Sequence, residues 1–211
     1  MGPNTPCSVN NVFPNVLLIT GSGRERGKTK LACNIISLWK KNHDLVAIKI
    51  SAHNHGDPGS KKLIHRSGAY SIWVEKGISS KDSGRFIEAG AMKVFYIEAH
   101  DQELLEAFRF IYGLCSEKSL IVCESGGLGR YIKPAVMLFV QHENDTVVPE
   151  KEAIRNICDF IVYSSRPEML DPSLFLEIAN HRWKLLRDDR DVIPSTFQDP
   201  LDCSGFENSS A

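Results

Sequence analysis

The sequence predicts an α/β fold: a mostly parallel central sheet covered by helices on both faces, in three α/β/α layers. Three observations carry this expectation. Short, almost continuously apolar runs such as "VLLIT" (16–20), "DLVAIKI" (44–50) and "SLIVCE" (119–124) read as strands buried on both faces, which suits a parallel sheet better than a half-exposed antiparallel one. Segments with apolar residues at helical spacing alternate with these runs. The 211 residues, 42% hydrophobic and 24% charged, suffice for one such domain with a sizeable core.

In chain order, residues 1–14 read as a flexible tail, 15–187 as a single domain, and 188–211, polar with Asp, Pro and Ser, as a second tail. Strand 16–20 leads through a glycine-rich stretch into a helix over 28–42, where Leu31, Ile35, Leu38 and Trp39 share helical spacing. Strand 44–50 follows. The polar "SAHNHGDPGSKK" (51–62) reads as a loop and "AYSIWVE" (69–75) as a short strand. "DSGRFIEAGA" (82–91) reads as a short helix opened by an Asp or Ser cap. "MKVFYIE" (92–98) is a strand, and "DQELLEAFRFIYGLC" (101–115) is a helix with Leu104, Leu105, Phe108 and Ile111 on one face. Strands over 119–124 and 135–141, a helix over 149–159 and a strand over 160–165 complete the alternation. "DPSLFLEIANHRWKLLR" (171–187) reads as a final helix.

Bulk properties exclude several classes. A formal charge of −1 gives no basic stripe for a general nucleic-acid surface. No apolar run approaches the ~20 residues of a membrane span. The polar start lacks the basic and apolar blocks of a signal peptide, so a cytoplasmic location is expected. Six cysteines are scattered without a C-x-x-C pair, and Cys33, Cys123 and Cys158 sit in apolar surroundings as reduced core residues.

The chemistry concentrates in "VLLITGSGRERGKTKLACNII" (16–36). Strand, glycine-rich loop, Gly27-Lys28-Thr29 and helix form the context of a P-loop, so the chain is expected to adopt a P-loop NTPase architecture. In such a loop, backbone N–H groups and the helix start surround phosphates. Gly21, Ser22, Gly23, Arg24, Glu25, Arg26, Gly27, Lys28, Thr29 and Lys30 are the candidate nucleotide-binding residues. Lys28 would reach the β- and γ-phosphates of GTP or ATP, and the Thr29 hydroxyl would bind Mg²⁺. Ser22 stands where the usual pattern has glycine, between Gly21 and Gly23. The loop is either one residue longer, counted from Gly21, or carries serine in place of glycine.

Magnesium also needs a carboxylate, expected at the carboxyl end of a neighbouring parallel strand. Glu124, followed by Ser125, Gly126 and Gly127, meets that requirement. Thr29 and Glu124 are therefore the candidate metal ligands, and Lys28, Lys49 and Glu124 the candidate catalytic residues. Lys49, near the end of the second strand, either points at phosphate or snorkels at an edge. His53, His55 and Asp57 suit a polar loop facing the nucleotide better than a zinc site. Arg24 and Arg26 have three open roles: neutralising phosphate charge, reaching across a dimer interface, or facing water. Arg130 and Lys133 could serve an anionic second substrate such as a pterin phosphate.

"VAIKISAHNH" followed by "KDSGRFIEAGAMKVFYI" resembles the molybdopterin-guanine dinucleotide biosynthesis adaptor family, MobB. The matching residues are Ile48, Lys49, His53, His55, Asp82, Ser83, Arg85, Ala89, Gly90 and Ala91, with Glu124 in place of the family's Glu-Gly strand end; the resemblance spans roughly 15–165. It implies GTP binding with magnesium, weak GTP hydrolysis, a homodimer and association with molybdenum-cofactor biosynthesis proteins. It also implies base contacts after the last strand, for which Ser164, Ser165 and Arg166 are candidates. "TGSGRERGKT" is instead similar, at equal length, to the loop of dethiobiotin synthetase, as "CESGG" is to that enzyme's Glu-Gly-Ala-Gly-Gly. That likeness implies ATP-dependent activation of a small anionic substrate, as a ligase or kinase. A third expectation is a degenerate P-loop protein that binds without turnover.

Overall fold

Each long apolar run becomes a strand of one mixed, mostly parallel sheet, with eight strands among the described residues, flanked by helices. The computed structural model describes residues 11–52, 61–79 and 81–186. Strand β1 (Val12–Gly21) lies between β6 (Leu120–Glu124) and β7 (Lys133–Gln141), parallel to both. On one side, β2 (Leu45–Ser51) pairs parallel with β6 and with β5 (Lys93–Ala99). On the other, β8 (Phe160–Tyr163) continues the parallel order beside β7. The antiparallel strands β4 (Tyr70–Glu75) and β3 (Lys61–Arg66) extend the sheet beyond β5.

Side chains alternate across the sheet and build two cores. Leu17 and Ile19 face α1 (Lys28–Trp39) and α2 (Asp82–Ala89). Val16 and Leu18 belong to the opposite core, with α3 (Leu104–Tyr112) and Ile154 of α4 (Pro149–Arg155). Leu17, Leu18 and Ile19 are fully buried. Burying each such side chain contributes about 1.5–3 kcal/mol, so the central strand is strongly anchored. On α3 the buried face is Leu104, Ala107, Phe108 and Ile111, close to the periodicity read from sequence.

Several boundaries differ from the sequence reading. β1 begins at Val12, within the segment expected to be tail, because Val12 and Phe13 pair with Lys133 and Pro134. Helix α1 stops at Trp39. The expected loop over 51–62 ends in β3, which pairs Lys61 and Lys62 with Glu75 and Val74. Lys81, with no side-chain cap bond, precedes α2 where Asp82 or Ser83 was expected to cap; both side chains have tertiary partners instead.

The last element is the largest correction. The expected helix over 171–187 is a short 3-10 turn, Pro172–Leu174, and an antiparallel hairpin of β9 (Leu176–Ala179) and β10 (Arg182–Leu185). Asn180 and His181 have φ of 53° and 54°, as a two-residue type I′ turn requires. Trp183 is buried between exposed Arg182 and Lys184, a period of two. Its ring meets Trp39 edge-on at 5.5 Å, so the hairpin covers the core that α1 leaves open. Among the described residues Cys33, Cys115, Cys123 and Cys158 are free; Cys123 is buried in the core, whereas Cys33 and Cys158, expected there too, and Cys115 are partly buried against it, and burial pushes each thiol's pKa up. No helix among the described residues is long and apolar enough to cross a membrane.

Candidate functional site

The carboxyl ends of β1, β2, β6, β7 and β8 lie along one edge of the sheet, and the polar residues singled out in sequence gather there. Ligands of open α/β sheets collect at this edge. Gly21 ends β1 against β7: a Cβ added to it would stand 2.3 Å from the Val140 carbonyl oxygen. The Ser22 N–H donates to that same carbonyl at 3.1 Å. Gly27 has φ of 85°, and a Cβ there would stand 2.9 Å from Ser164 Cβ. The two glycines with steric reasons are thus Gly21 and Gly27, while Gly23 has open space around it. The steric constraints on the loop thus fall at its two ends, Gly21 and Gly27. Ser22 uses its hydroxyl elsewhere, donating to Asp145 Oδ2 at 2.6 Å.

Gly27 precedes α1, and no side chain caps that helix. Its first N–H groups have no side-chain cap to take them up. The Lys28 Nζ folds back and donates to the Gly23 carbonyl. Burial pushes the Lys28 pKa down against the pull of Glu124, with Lys49 and Lys151 acting in the same direction as burial.

Beside the loop, four elements converge. The Thr29 hydroxyl of α1 donates to Glu124 Oε2 of β6 at 2.8 Å. Lys49 Nζ of β2 lies 2.5 Å from Glu124 Oε1 and 2.8 Å from Asp82 Oδ2 of α2. The alternation of side chains explains the meeting: Lys49 and Glu124 are opposite partners on neighbouring strands and project to the α1 side. The Glu124 side chain is 3% exposed, and its charge is balanced by Lys49. Burial opposes the Lys49 charge, but Glu124 and Asp82 outweigh it and hold its pKa above the usual lysine value. Asp82 is likewise kept below the usual carboxylate range: burial works against its charge, and Lys49 and the Thr29 hydroxyl overcome that.

Lys49 meets two carboxylates, Glu124 and Asp82, which neither sequence alternative for it named. Arg26 Nε pairs with Asp145 Oδ2 at 2.8 Å, and Arg24 is exposed. Asp145 also accepts from the His142 N–H at 3.1 Å, so one carboxylate fastens the loop to the end of β7. Ser164 packs on Gly27, whereas Ser165 accepts from the Glu143 N–H and Arg166 pairs with Glu143. A groove of about 490 Å³ runs from Lys30 along Asn34 and Leu38 of α1 to Pro167, Leu170 and Asp171.

Arg130 and Lys133, paired in the sequence reading, are separated. Lys133 opens β7 opposite Val12, at the far end of β1 from Gly21. Arg130 remains near the edge and pairs with Asp101 at 2.5 Å. Asp82, Asp145 and Lys151 are site residues that were not singled out for chemistry. Asp82 had a signal, lying in the "KDSGRF" stretch; Asp145 and Lys151 follow β7 in segments with no motif. His53, His55 and Asp57 lie outside the described residues, and within those no cluster of three His, Cys, Asp or Glu forms a metal site.

Comparison of the chain with protein-family models, curated proteins and solved structures finds no match.

Proposed function

We propose that this chain is a P-loop NTPase-type protein that binds a magnesium–nucleoside triphosphate, GTP by preference, and hydrolyses it slowly. The observation that carries the reading is the bond from the Thr29 hydroxyl to buried Glu124, beside a loop whose glycines at both ends are sterically required. A hydroxyl and two carboxylates, Glu124 and Asp82, are the hard oxygen donors that magnesium prefers, and one or two carboxylates suffice when phosphate supplies the rest. When bound, the metal would neutralise charge on the phosphate oxygens. Thr29 and Glu124 would hold it, with Asp82 nearby.

Lys28, tied only to a main-chain carbonyl, is available to exchange that bond for a phosphate oxygen. The uncapped start of α1 favours an anion at the same place. Arg26 is held by Asp145, away from a role in neutralising phosphate charge, which supports slow turnover. The groove from Lys30 to Asp171 offers room for the nucleoside, with Ser164 at the loop rather than Arg166. The GTP preference, the dimer and the molybdenum-cofactor partners rest on the resemblance to the MobB adaptors.

A second reading has an observation of its own. The loop counted from Gly21 has the length of the dethiobiotin synthetase loop, which favours ATP-dependent activation of a small anionic substrate. Titrating fluorescent GTP and ATP analogues with magnesium, beside Lys28→Ala, separates the two. A GTP preference lost in the variant is the expected result. An ATP preference selects the ligase or kinase reading, and no binding of either refutes both.

A further inference from the structure

Lys151 stands in the first turn of α4, on the opposite side of the sheet from α1. Its Nζ reaches the turn after β6 and donates to the Gly126 carbonyl at 2.6 Å. Among the described residues, no carboxylate lies within ion-pairing distance of it, and the ammonium is only partly exposed. Among the charged side chains acting on it, the cation Arg130 has the largest effect, opposed by the carboxylates Asp101 and Glu150.

The glycines of the turn are placed with respect to these cations. A Cβ on Gly126 would stand 3.3 Å from Lys151 Nζ, with nothing else in reach. A Cβ on Gly127 would stand 2.9 Å from Arg130 Nη2, 3.0 Å from Asp101 Oδ1 and 3.1 Å from Leu104 Cδ1. Gly126 thus leaves the space beside the Lys151 tip clear, whereas beside Gly127 the Arg130 tip shares its space with Asp101 and Leu104. Arg130 has a partner in Asp101, but Asp101 is 61% exposed. Such exposed pairs contribute little and are readily exchanged.

We infer that Lys151 and Arg130, above the Gly126–Gly127 turn, form the receptor for an oxyanion, phosphate or carboxylate, carried by a second substrate distinct from the nucleotide. The inference rests on the reading of the Lys28 loop as the nucleotide site. Lys28 approaches from the α1 side and Lys151 from the α4 side, so the two cations address different sides of the same edge. Burial first, and then Arg130, pushes the Lys151 pKa down against the weaker pull of Asp101 and Glu150; an anion beside Lys151 would add to that pull. The position suits a reaction in which the second substrate receives the terminal phosphoryl group: its acceptor oxygen forms the new P–O bond, the bond to the nucleoside diphosphate breaks, and the acceptor's proton, if any, passes to solvent.

The test is a titration of inorganic phosphate, by calorimetry, into the full chain loaded with magnesium and a non-hydrolysable GTP or ATP analogue. Lys151→Gln keeps an N–H donor for the Gly126 carbonyl and removes the charge; an unchanged thermal midpoint verifies its fold. Losing one charge-assisted contact should weaken phosphate binding about tenfold, with analogue affinity unchanged, and Arg130→Gln should act in the same direction. Phosphate affinity unaffected by Lys151→Gln, or no phosphate binding to the wild-type chain, overturns the inference. So does an equal loss of analogue affinity, which would assign Lys151 to the nucleotide's own phosphates. If the chain binds no nucleotide, the functional reading fails separately. Phosphate titration in the Lys28→Ala background, with and without Lys151→Gln, then decides: a further loss supports the receptor, and no difference overturns it.

Discussion

Gly21 and Gly23 stand two positions apart and answer to different constraints. Gly21 has the Val140 carbonyl where a side chain would begin; Gly23 has open space. Overpacking at such a contact costs about 1–3 kcal/mol, while a substitution in open space stays within about 0.5 kcal/mol. Gly21→Ala should therefore lower the urea midpoint clearly and Gly23→Ala hardly at all, as chemical unfolding followed by circular dichroism would report. If the Gly23 space belongs to phosphate, Gly23→Ala should weaken nucleotide binding without that loss of stability. The spacing problem at Ser22 was visible in sequence. Its solution was not, because Asp145 is 123 residues away and meets Ser22 only when β7 lies beside β1.

At the scale of elements, local signals succeeded where they had no competitor. Gly90, with φ of 106°, closes α2: its N–H and that of Ala91 return to Ile87 and Phe86, a left-handed C-cap that accounts for the Ala-Gly-Ala stretch. The hairpin β9–β10 was misread because "LFLEIANHRWKLL" offers apolar residues at both helical and alternating spacing. The Asn180-His181 turn and the pocket for Trp183 beside Trp39 decide in favour of the strands. A left-handed residue other than glycine costs about 1 kcal/mol. His181→Gly, which gives the favoured Asn-Gly turn, is expected to raise the melting temperature by about 2–4 °C in a thermal scan. An unchanged or lower midpoint would show that the His181 side chain contributes more than its backbone strain costs.

For the molecule as a whole, the polar cluster ties α1, α2, β2 and β6 at one edge through Thr29, Asp82, Lys49 and Glu124. Its pH dependence follows from the directions of the shifts. Asp82 and Asp145 titrate below the ordinary aspartate value when folded. Their contributions are complete above that ordinary value and are lost as pH falls through the depressed folded ones. Lys49 is raised, so its contribution is complete below the ordinary lysine value and is lost only as pH rises through the higher folded one. The urea midpoint should thus fall from about pH 5 to about pH 2, and Asp82→Asn should make that fall shallower. An identical slope in the variant would remove Asp82 from the account. The outer strand β3 illustrates another whole-molecule constraint: exposed Lys62 and a register shift between Leu63 and His65 disfavour pairing with a further strand.

The sequence by itself determined the α/β class, the succession along the chain of every strand of the main sheet except β3, and which loop-to-helix junction lies in the polar cluster. Those properties follow from periodicity and from Gly, Lys, Thr and Glu at positions whose local context is sufficient. Only the tertiary structure decided where Lys49 points, that Asp82 joins Thr29 and Glu124, that Asp145 holds Ser22 and Arg26, and that Lys151 reaches the Gly126 carbonyl while Lys133 lies at the far end of β1 from Gly21. Each of these depends on which strands become neighbours and on which end of a strand a residue occupies. Strand order is set by the burial of two continuous cores, a sum over the whole chain that no short stretch of it contains.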